Sequence, residues 1–405
     1  MKRIPTGGWA STGIVVGAIG VILGSAPIVF IGAAIIGIRV VVDRWPKKVL
    51  GALVYDRSVG PTKTVVGEPV NVRLSLWNKS RLPVAWAVAE DTMSSALRVQ
   101  GGREVSVYGP MRPFERITRH LQVVPTKRGV HEIGPVRMGV SQHFGTQNLS
   151  LEPAAIGATI LSRPRMAPVM GRYAPSAPLA THRARQSLFT DPTLFAGIRP
   201  YAQGDPARAI HWRASARERQ LQTKRFEPAL SRQQVLILDV QTVDGPYWLL
   251  ESDDELFENL CVAAGSIARD LIAHDAACGF AAAGFSHTTQ LFAYLPPRAD
   301  RAQIERIGDL LARLSSESSA PLNALLAWLP KKVTRGTTLT ILSGRPPNSV
   351  AGIARRLMAS GFPVQFGLFG RAAEHVNEAR RMGFTAWVAR VDSDGMIPTA
   401  VTLDA

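Results

Sequence analysis

The chain has 405 residues, 46% hydrophobic and 19% charged, which supplies large cores for two or three domains and excludes a wholly disordered chain. Lysines and arginines number 47 against 31 acidic residues, for a formal net charge of +16. That surplus fits an anionic membrane surface or the cytoplasmic flank of a membrane protein, and the lack of a basic run interleaved with aromatics argues against nucleic acid.

Residues 1–48 read as a membrane anchor. Lys2 and Arg3 precede an apolar region over 9–42, which Gly24-Ser25-Ala26-Pro27 interrupts, and Arg39, Arg44, Lys47 and Lys48 form its basic C-terminal flank. One helix across the whole region would be about 45 Å long, against a hydrocarbon core of about 30 Å. Two arms, over 9–24 and 27–42, turn at the central Gly and Pro and predict a transmembrane hairpin. Positive charge on both flanks places both ends, and the soluble domains, on the cytoplasmic side of the cell membrane. A cleaved signal peptide at Gly24-Ser25-Ala26 and a single tilted span are the rivals.

Residues 50–160 predict an all-β domain, a small Ig-like sandwich. Residues 70–76 alternate apolar and polar with period two, and 84–88 and 117–124 read as further strands. Gly60-Pro61, Gly67-Glu68, Asn78-Lys79 and Gly101-Gly102 supply turns. Residues 162–194 read as a basic, proline-rich connector with His182, Arg183 and Arg185. That patch is either a solvated face or a surface for anionic lipid or an acidic partner.

Residues 195–232 carry the densest local signal. Gly204 suits a tight turn, Asp205 an N-cap and Pro206 the first helical position, predicting a helix over 207–218. Asp205 also has Arg208 within reach. Arg213 and Arg217 share a helical face, and Trp212 is a large apolar anchor. Phe195, Gly197, Arg199, Tyr201, Gly204, Asp205, Arg208, Ile210, Trp212, Ala216 and Arg217 fall in the order of a known signature. In this stretch the chain resembles the domain-of-unknown-function 58 family, with Ile198 where that family has leucine. The resemblance implies a membrane-tethered protein with a von Willebrand factor type A-like domain, associated with a MoxR-type AAA+ ATPase. Residues 127–140 resemble the strand pair ending the family's sandwich. Gln142-His143-Phe144-Gly145-Thr146 stands where the family has an aspartate-proline-phenylalanine-glycine-leucine turn.

Residues 233–405 alternate strand and helix. Strands are expected over 235–238, 278–284, 288–294, 337–342, 364–368 and 386–389. Helices are expected over 253–274, 299–314, 322–329, 349–360 and 371–382. The alternation predicts a doubly wound, mostly parallel sheet, in an order similar to von Willebrand type A domains. Domains of that type often hold Mg²⁺ through an Asp-x-Ser-x-Ser loop. Here Asp239 matches the first ligand, but Gln241 and Val243 follow it, and Ser343-Gly344 stands where Asp-Gly is expected. The site is degenerate, and no metal or other cofactor is expected. Asp239 is instead expected to cap a loop or pair with a signature arginine.

Cys261 and Cys278 lie in apolar segments without metal-ligand spacing and read as reduced thiols, with a bridge between them left open. No phosphate loop, dinucleotide fingerprint or zinc motif is present, and Ser286 lacks the closing glycine of a nucleophile elbow. The signature has two readings. In one, Gly197, Tyr201, Gly204, Asp205, Ile210 and Trp212 are structural. In the other, Arg199, Arg208, Arg213 and Arg217 also form a partner- or anion-binding surface. The expected function is a non-enzymatic adaptor for the ATPase, in assembly or maturation of complexes. The alternatives are an envelope structural protein with an external sandwich, or a hydrolase using Asp205, Asp239 and His211. No small-molecule ligand is legible.

Overall fold

A computed structural model describes residues 8–102, 105–141, 148–150, 157–171, 190–202, 205, 207–228, 233–248, 252–284, 291–394 and 397–404. The chain is mixed α/β with several sheets and divides into two compact units. One is Met1–Arg165 with Leu311–Arg313, and the other is Met166–Leu310 with Leu314–Ala405.

The first unit opens with helices α1 (Gly8–Ile22) and α2 (Ala26–Leu50), joined at Gly24 with φ +60°. α2 is long and apolar enough to cross a membrane. The two helices meet through glycine. A Cβ on Gly32 would lie 2.5 Å from the Gly17 nitrogen, and one on Gly13 would lie 3.3 Å from the Gly32 oxygen. Only residues without a side chain permit such backbone contact.

Ten strands follow: β1 (Leu53–Gly60), β2 (Lys63–Val65), β3 (Val70–Asn78), β4 (Val84–Met93), β5 (Leu97–Val99), β6 (Ser106–Met111), β7 (Arg116–Pro125), β8 (Gly129–Ser141), β9 (Asn148–Ser150) and β10 (Ala158–Arg163). They form a sheet in the order β1-β3-β7-β5 and another in the order β2-β10-β8-β4-β6, with β9 beside β8. One core joins both sheets. Val70, Val72, Leu74 and Leu76 point inward at the period-two positions, against Ala87, Ala89, Val107, Ile133 and Val136. β4 continues past the expected 84–88 because Asp91, a charged residue in an otherwise apolar interior, is matched there. Arg57 reaches it at 2.6 Å, the Tyr55 hydroxyl donates to it, and the Arg57 and Asp91 side chains are buried. β1 and β4 belong to different sheets, so this cluster ties the sheets together. Burial, then the hydrogen bond to Asp91, pushes the Tyr55 hydroxyl far above its ordinary range.

The second unit is built on a sheet in the order β11-β20-β19-β18-β17-β14-β15-β16. Its strands and helices, with the short ribbon described below, are β11 (Val169–Gly171), β12 (Thr190–Pro200), α3 (Trp212–Glu218), β13 (Gln222–Pro228), β14 (Gln233–Leu238), α4 (Asp254–Ala273), β15 (Ala277–Ala282), β16 (Ala293–Arg298), α5 (Ala302–Arg313), α6 (Leu322–Trp328), β17 (Thr338–Ser343), α7 (Asn348–Ala359), β18 (Val364–Leu368), α8 (Val376–Arg381), β19 (Thr385–Asp394) and β20 (Ile397–Asp404). β14, β15, β17, β18 and β19 run parallel to their neighbours, while β16 and β20 return antiparallel at either side. Val235, Leu236, Ile237 and Leu238 on β14 are all fully buried, as a central strand covered on both faces requires. α4 starts where Asp253 accepts the Leu256 N–H at 3.0 Å.

Four expectations change. The strand expected over 288–294 is seen as β16, which starts at Ala293 and runs on to Arg298. Val169–Gly171, inside the expected connector, is a strand pairing in parallel with β20. The strand expected over 386–389 runs to Asp394 and is followed by β20, which the sequence reading missed. Residues 371–382 form a 3₁₀ segment, Gly370–His375, before the short α8. Cys261 and Cys278 are buried thiols that form no disulfide, which excludes the bridge left open above. The expectations at Gln142, His143, Phe144, Gly145, Thr146, His182, Arg183, Arg185 and Ser286 lie outside the described residues.

Candidate functional site

The signature stretch folds as an arm. β12 and β13 form a two-stranded antiparallel ribbon, pairing Ile198 with Lys224, Arg199 with Thr223 and Pro200 with Gln222. The Tyr201 N–H closes the ribbon on the Leu221 carbonyl at 2.8 Å. Gly197 has φ +148°, a conformation that an L side chain rarely adopts.

Asp205 does not cap the helix. Its carboxylate accepts the Ala202 N–H at 3.0 Å and pairs with Arg199 at 2.6 Å, so it organises the turn after β12. The Arg199 hydrogen bond, then the Ala202 amide, hold its carboxyl below the ordinary range. The expected single helix over 207–218 is a 3₁₀ turn, Ala207–Ala209, and then α3. The cap is His211, whose Nδ1 accepts the Ala214 N–H at 3.1 Å. That nitrogen is thereby committed to structure. Ser215 Oγ accepts the Gln222 N–H at 2.8 Å and fastens α3 to β13.

The sequence reading made Trp212 an apolar anchor, yet it is 68% exposed, and α3 has no buried residue. Its side chain finds no apolar wall on this short helix. Ile198, Tyr201 and Leu221 are also exposed, and Ile210 is half-buried. Arg213 and Arg217 lie exposed, one turn apart on α3, whereas Arg199 is drawn to Asp205. Gly204, Pro206 and the Arg208 side chain lie outside the described residues.

A second cluster lies at the carboxyl ends of β14 and β17. From β14 the chain crosses to β15 on one side, and it later returns to β17 on the other. An open α/β sheet ordinarily takes ligands at such a reversal of strand order. Here the position is filled by the chain itself. Arg345 donates from Nε and Nη2 to the two carboxylate oxygens of Asp239, each at 3.0 Å, and Ser343 Oγ donates to the same carboxylate at 2.8 Å. All three residues are buried. Burial pushes the Asp239 carboxyl upward, and the Arg345 charge pulls it back down. Asp239 thus pairs with a distant arginine outside the signature. Both its oxygens are committed, so these residues do not fit a Mg²⁺ ion. Among the described residues, no group of three His, Cys, Asp or Glu is placed to hold a metal.

Both clusters fall in one stretch. Residues 197–357 match the model of the family described as "Protein of unknown function DUF58". The DUF58 match takes in the arm from Gly197, Asp239 and Arg345. The uncharacterized protein YeaD of Bacillus subtilis (strain 168) is 24% identical over 245 residues, covering 56% of this chain and 55% of that protein. The chain therefore spans about half the length of this curated relative. Among solved structures, the CARDB domain of the PF1109 protein from Pyrococcus furiosus is similar at TM-score 0.20 and 12% identity, over 27% of this chain and 91% of that one. Escherichia coli alpha-2-macroglobulin is similar at TM-score 0.21 and 17% identity, over 31% of this chain and 20% of that one. Scores this low support no argument about fold or function.

Proposed function

We propose that the chain is a membrane-anchored interaction protein, an adaptor for a MoxR-type AAA+ ATPase in the assembly or maturation of protein complexes. In this reading α1 and α2 form a two-span hairpin and the soluble parts are cytoplasmic. The β unit is an Ig-like sandwich, and the second unit is von Willebrand type A-like. Close glycine packing of α1 on α2 supports the hairpin.

The exposed α3 carries the reading. A two-stranded ribbon with one short helix buries little apolar surface of its own. This arm nonetheless presents Trp212 to solvent, with Arg213 and Arg217 on the same short helix. Tryptophan and arginine are the residues on which protein interfaces most depend. Asp239 and His211, which an enzyme reading needs, are both engaged in structural bonds.

The test is a crosslinked pull-down of full-length tagged protein, identified by mass spectrometry, with and without a non-hydrolysable ATP analogue. Nucleotide-dependent recovery of an AAA+ protein, lost in Arg213→Glu/Arg217→Glu, is the expected result. Recovery of envelope proteins alone in both conditions overturns the adaptor role in favour of a structural one.

A further inference from the structure

The end of the β unit that receives α2 has a surface chemistry of its own. α2 does not stop at the membrane. Val49 and Leu50, in its last turn, belong to the core of the β unit and are 0% and 4% exposed. The Trp45 indole donates to the Pro83 carbonyl at 2.9 Å. There is thus no linker between the apolar helix and the sheets.

The loops around this entry point are bound together. The Lys79 N–H donates to the Ala52 carbonyl at 3.1 Å, just past the helix end. The Asn78 amide donates to the Leu82 carbonyl at 2.9 Å and the Arg112 carbonyl at 3.1 Å, joining loops 78–83 and 112–115. The Trp77 indole donates to the Phe114 carbonyl at 3.3 Å. On this frame Phe114 is 59% exposed at φ +60°, Trp77 is 36% exposed, and Lys79 lies 4.5 Å over the Trp77 ring. Lys79, Arg81 and Arg112 are exposed beside them, and Lys47 and Lys48 are exposed on α2.

Distance decides what such a surface meets. The helix advances about 12 Å between Val42, where the apolar run ends, and Leu50. The headgroup layer of one leaflet is about 5–8 Å thick. These loops therefore stand within a few ångströms of the headgroups of any bilayer that α2 enters. Amphipathic aromatics and cations are the side chains that favour that zone.

We infer that the helix-entry end of the β unit rests on anionic lipid headgroups, with Phe114 and Trp77 in the interface and Lys79, Arg81 and Arg112 on phosphates. This rests on the membrane-anchored reading and adds a second contact to it. The anchor then fixes the orientation of the β unit as well as its attachment.

The test uses the full chain in nanodiscs of phosphatidylcholine, with and without phosphatidylglycerol. An environment-sensitive dye is attached to Phe114→Cys, to Glu68→Cys at the far end of β1, and to Ile31→Cys within α2. The native cysteines are buried, and unlabelled parent protein controls for them. Glu68 lies beyond the far end of a strand about 26 Å long, outside the interface. The Phe114→Cys dye should be blue-shifted and quenched by shallow spin-labelled lipid roughly threefold or more above the Glu68→Cys dye. Lys79→Glu/Arg112→Glu should reduce that quenching in discs with phosphatidylglycerol. Equal, water-like emission at Phe114→Cys and Glu68→Cys overturns the proposal while a quenched Ile31→Cys dye leaves the anchor standing. An unquenched Ile31→Cys dye overturns the anchor and this contact together.

Discussion

Arg345 holds both carboxylate oxygens of Asp239, across 106 residues of sequence and at the point where the strand order of the sheet reverses. The pair is buried, so its members depend on each other. Removing one member of a buried pair leaves the other charged without compensation. Arg345→Ala should therefore lower unfolding stability by about 3–5 kcal/mol in urea denaturation of the full chain. Replacing both members with leucine should recover part of that loss.

The same variant carries a pH signature. Without Arg345, burial is opposed only by the hydrogen bonds from Ser343 and the Gln241 amide, so the folded pKa of Asp239 is held further above the unfolded value. A raised carboxyl contributes stability below its unfolded pKa and loses it as pH rises through the folded one. The deficit of Arg345→Ala relative to the parent should be smallest below about pH 4 and grow toward neutrality. A deficit that shrinks with rising pH would show that the carboxylate finds another cation.

At the arm the sign is opposite. Arg199 and the Ala202 amide lower the Asp205 carboxyl, so the turn is supported above the ordinary carboxylate pKa and loses that support as pH falls through the lowered one. Arg199→Ala should move the Asp205 titration upward, measured by carbon-detected NMR of the side-chain carboxyl. An unmoved midpoint would mean that Arg199 does not set it.

In the β unit, Asp91 joins β1 to β4 by receiving Arg57 and the Tyr55 hydroxyl. Asp91→Ala should destabilise the unit by about 3–5 kcal/mol, because Arg57 remains buried. Tyr55→Phe removes one hydrogen bond to a charged acceptor and should cost about 1.5–3 kcal/mol. Urea titration followed by tryptophan fluorescence compares the two.

Gly32→Leu places a side chain where the Gly17 backbone now lies. Pulsed electron resonance between spin labels on α1 and α2 should show the helices further apart. An unchanged distance would mean that α1 does not pack on α2 at Gly32.

Apolar periodicity made much of this legible in the sequence. Residues 70–76 show a one-faced strand, 235–238 a strand covered on both faces, and 253–274 a helix with a capping aspartate. What stayed hidden depends on partners far away in sequence. Asp91 broke the apolar pattern of β4 because its partner Arg57 lies on another strand. Nothing local marks Arg345 as the partner of Asp239. Trp212 looks like core in a helical pattern, and only the folded arm shows that it is 68% exposed. At Asp205 the cap pattern was correct chemistry in the wrong place, because Arg199 and Ala202 compete successfully for the carboxylate.

The last turn of α2 also decides where the protein can be cut. Val49 and Leu50 are core residues of the β unit, and Trp45 is packed against that core. A chain shortened to begin at Ala52 would lose three apolar side chains of that core and leave a hole in it. A soluble form must start upstream of Trp45, and it will carry a stub of exposed helix as the unavoidable companion of a complete interior.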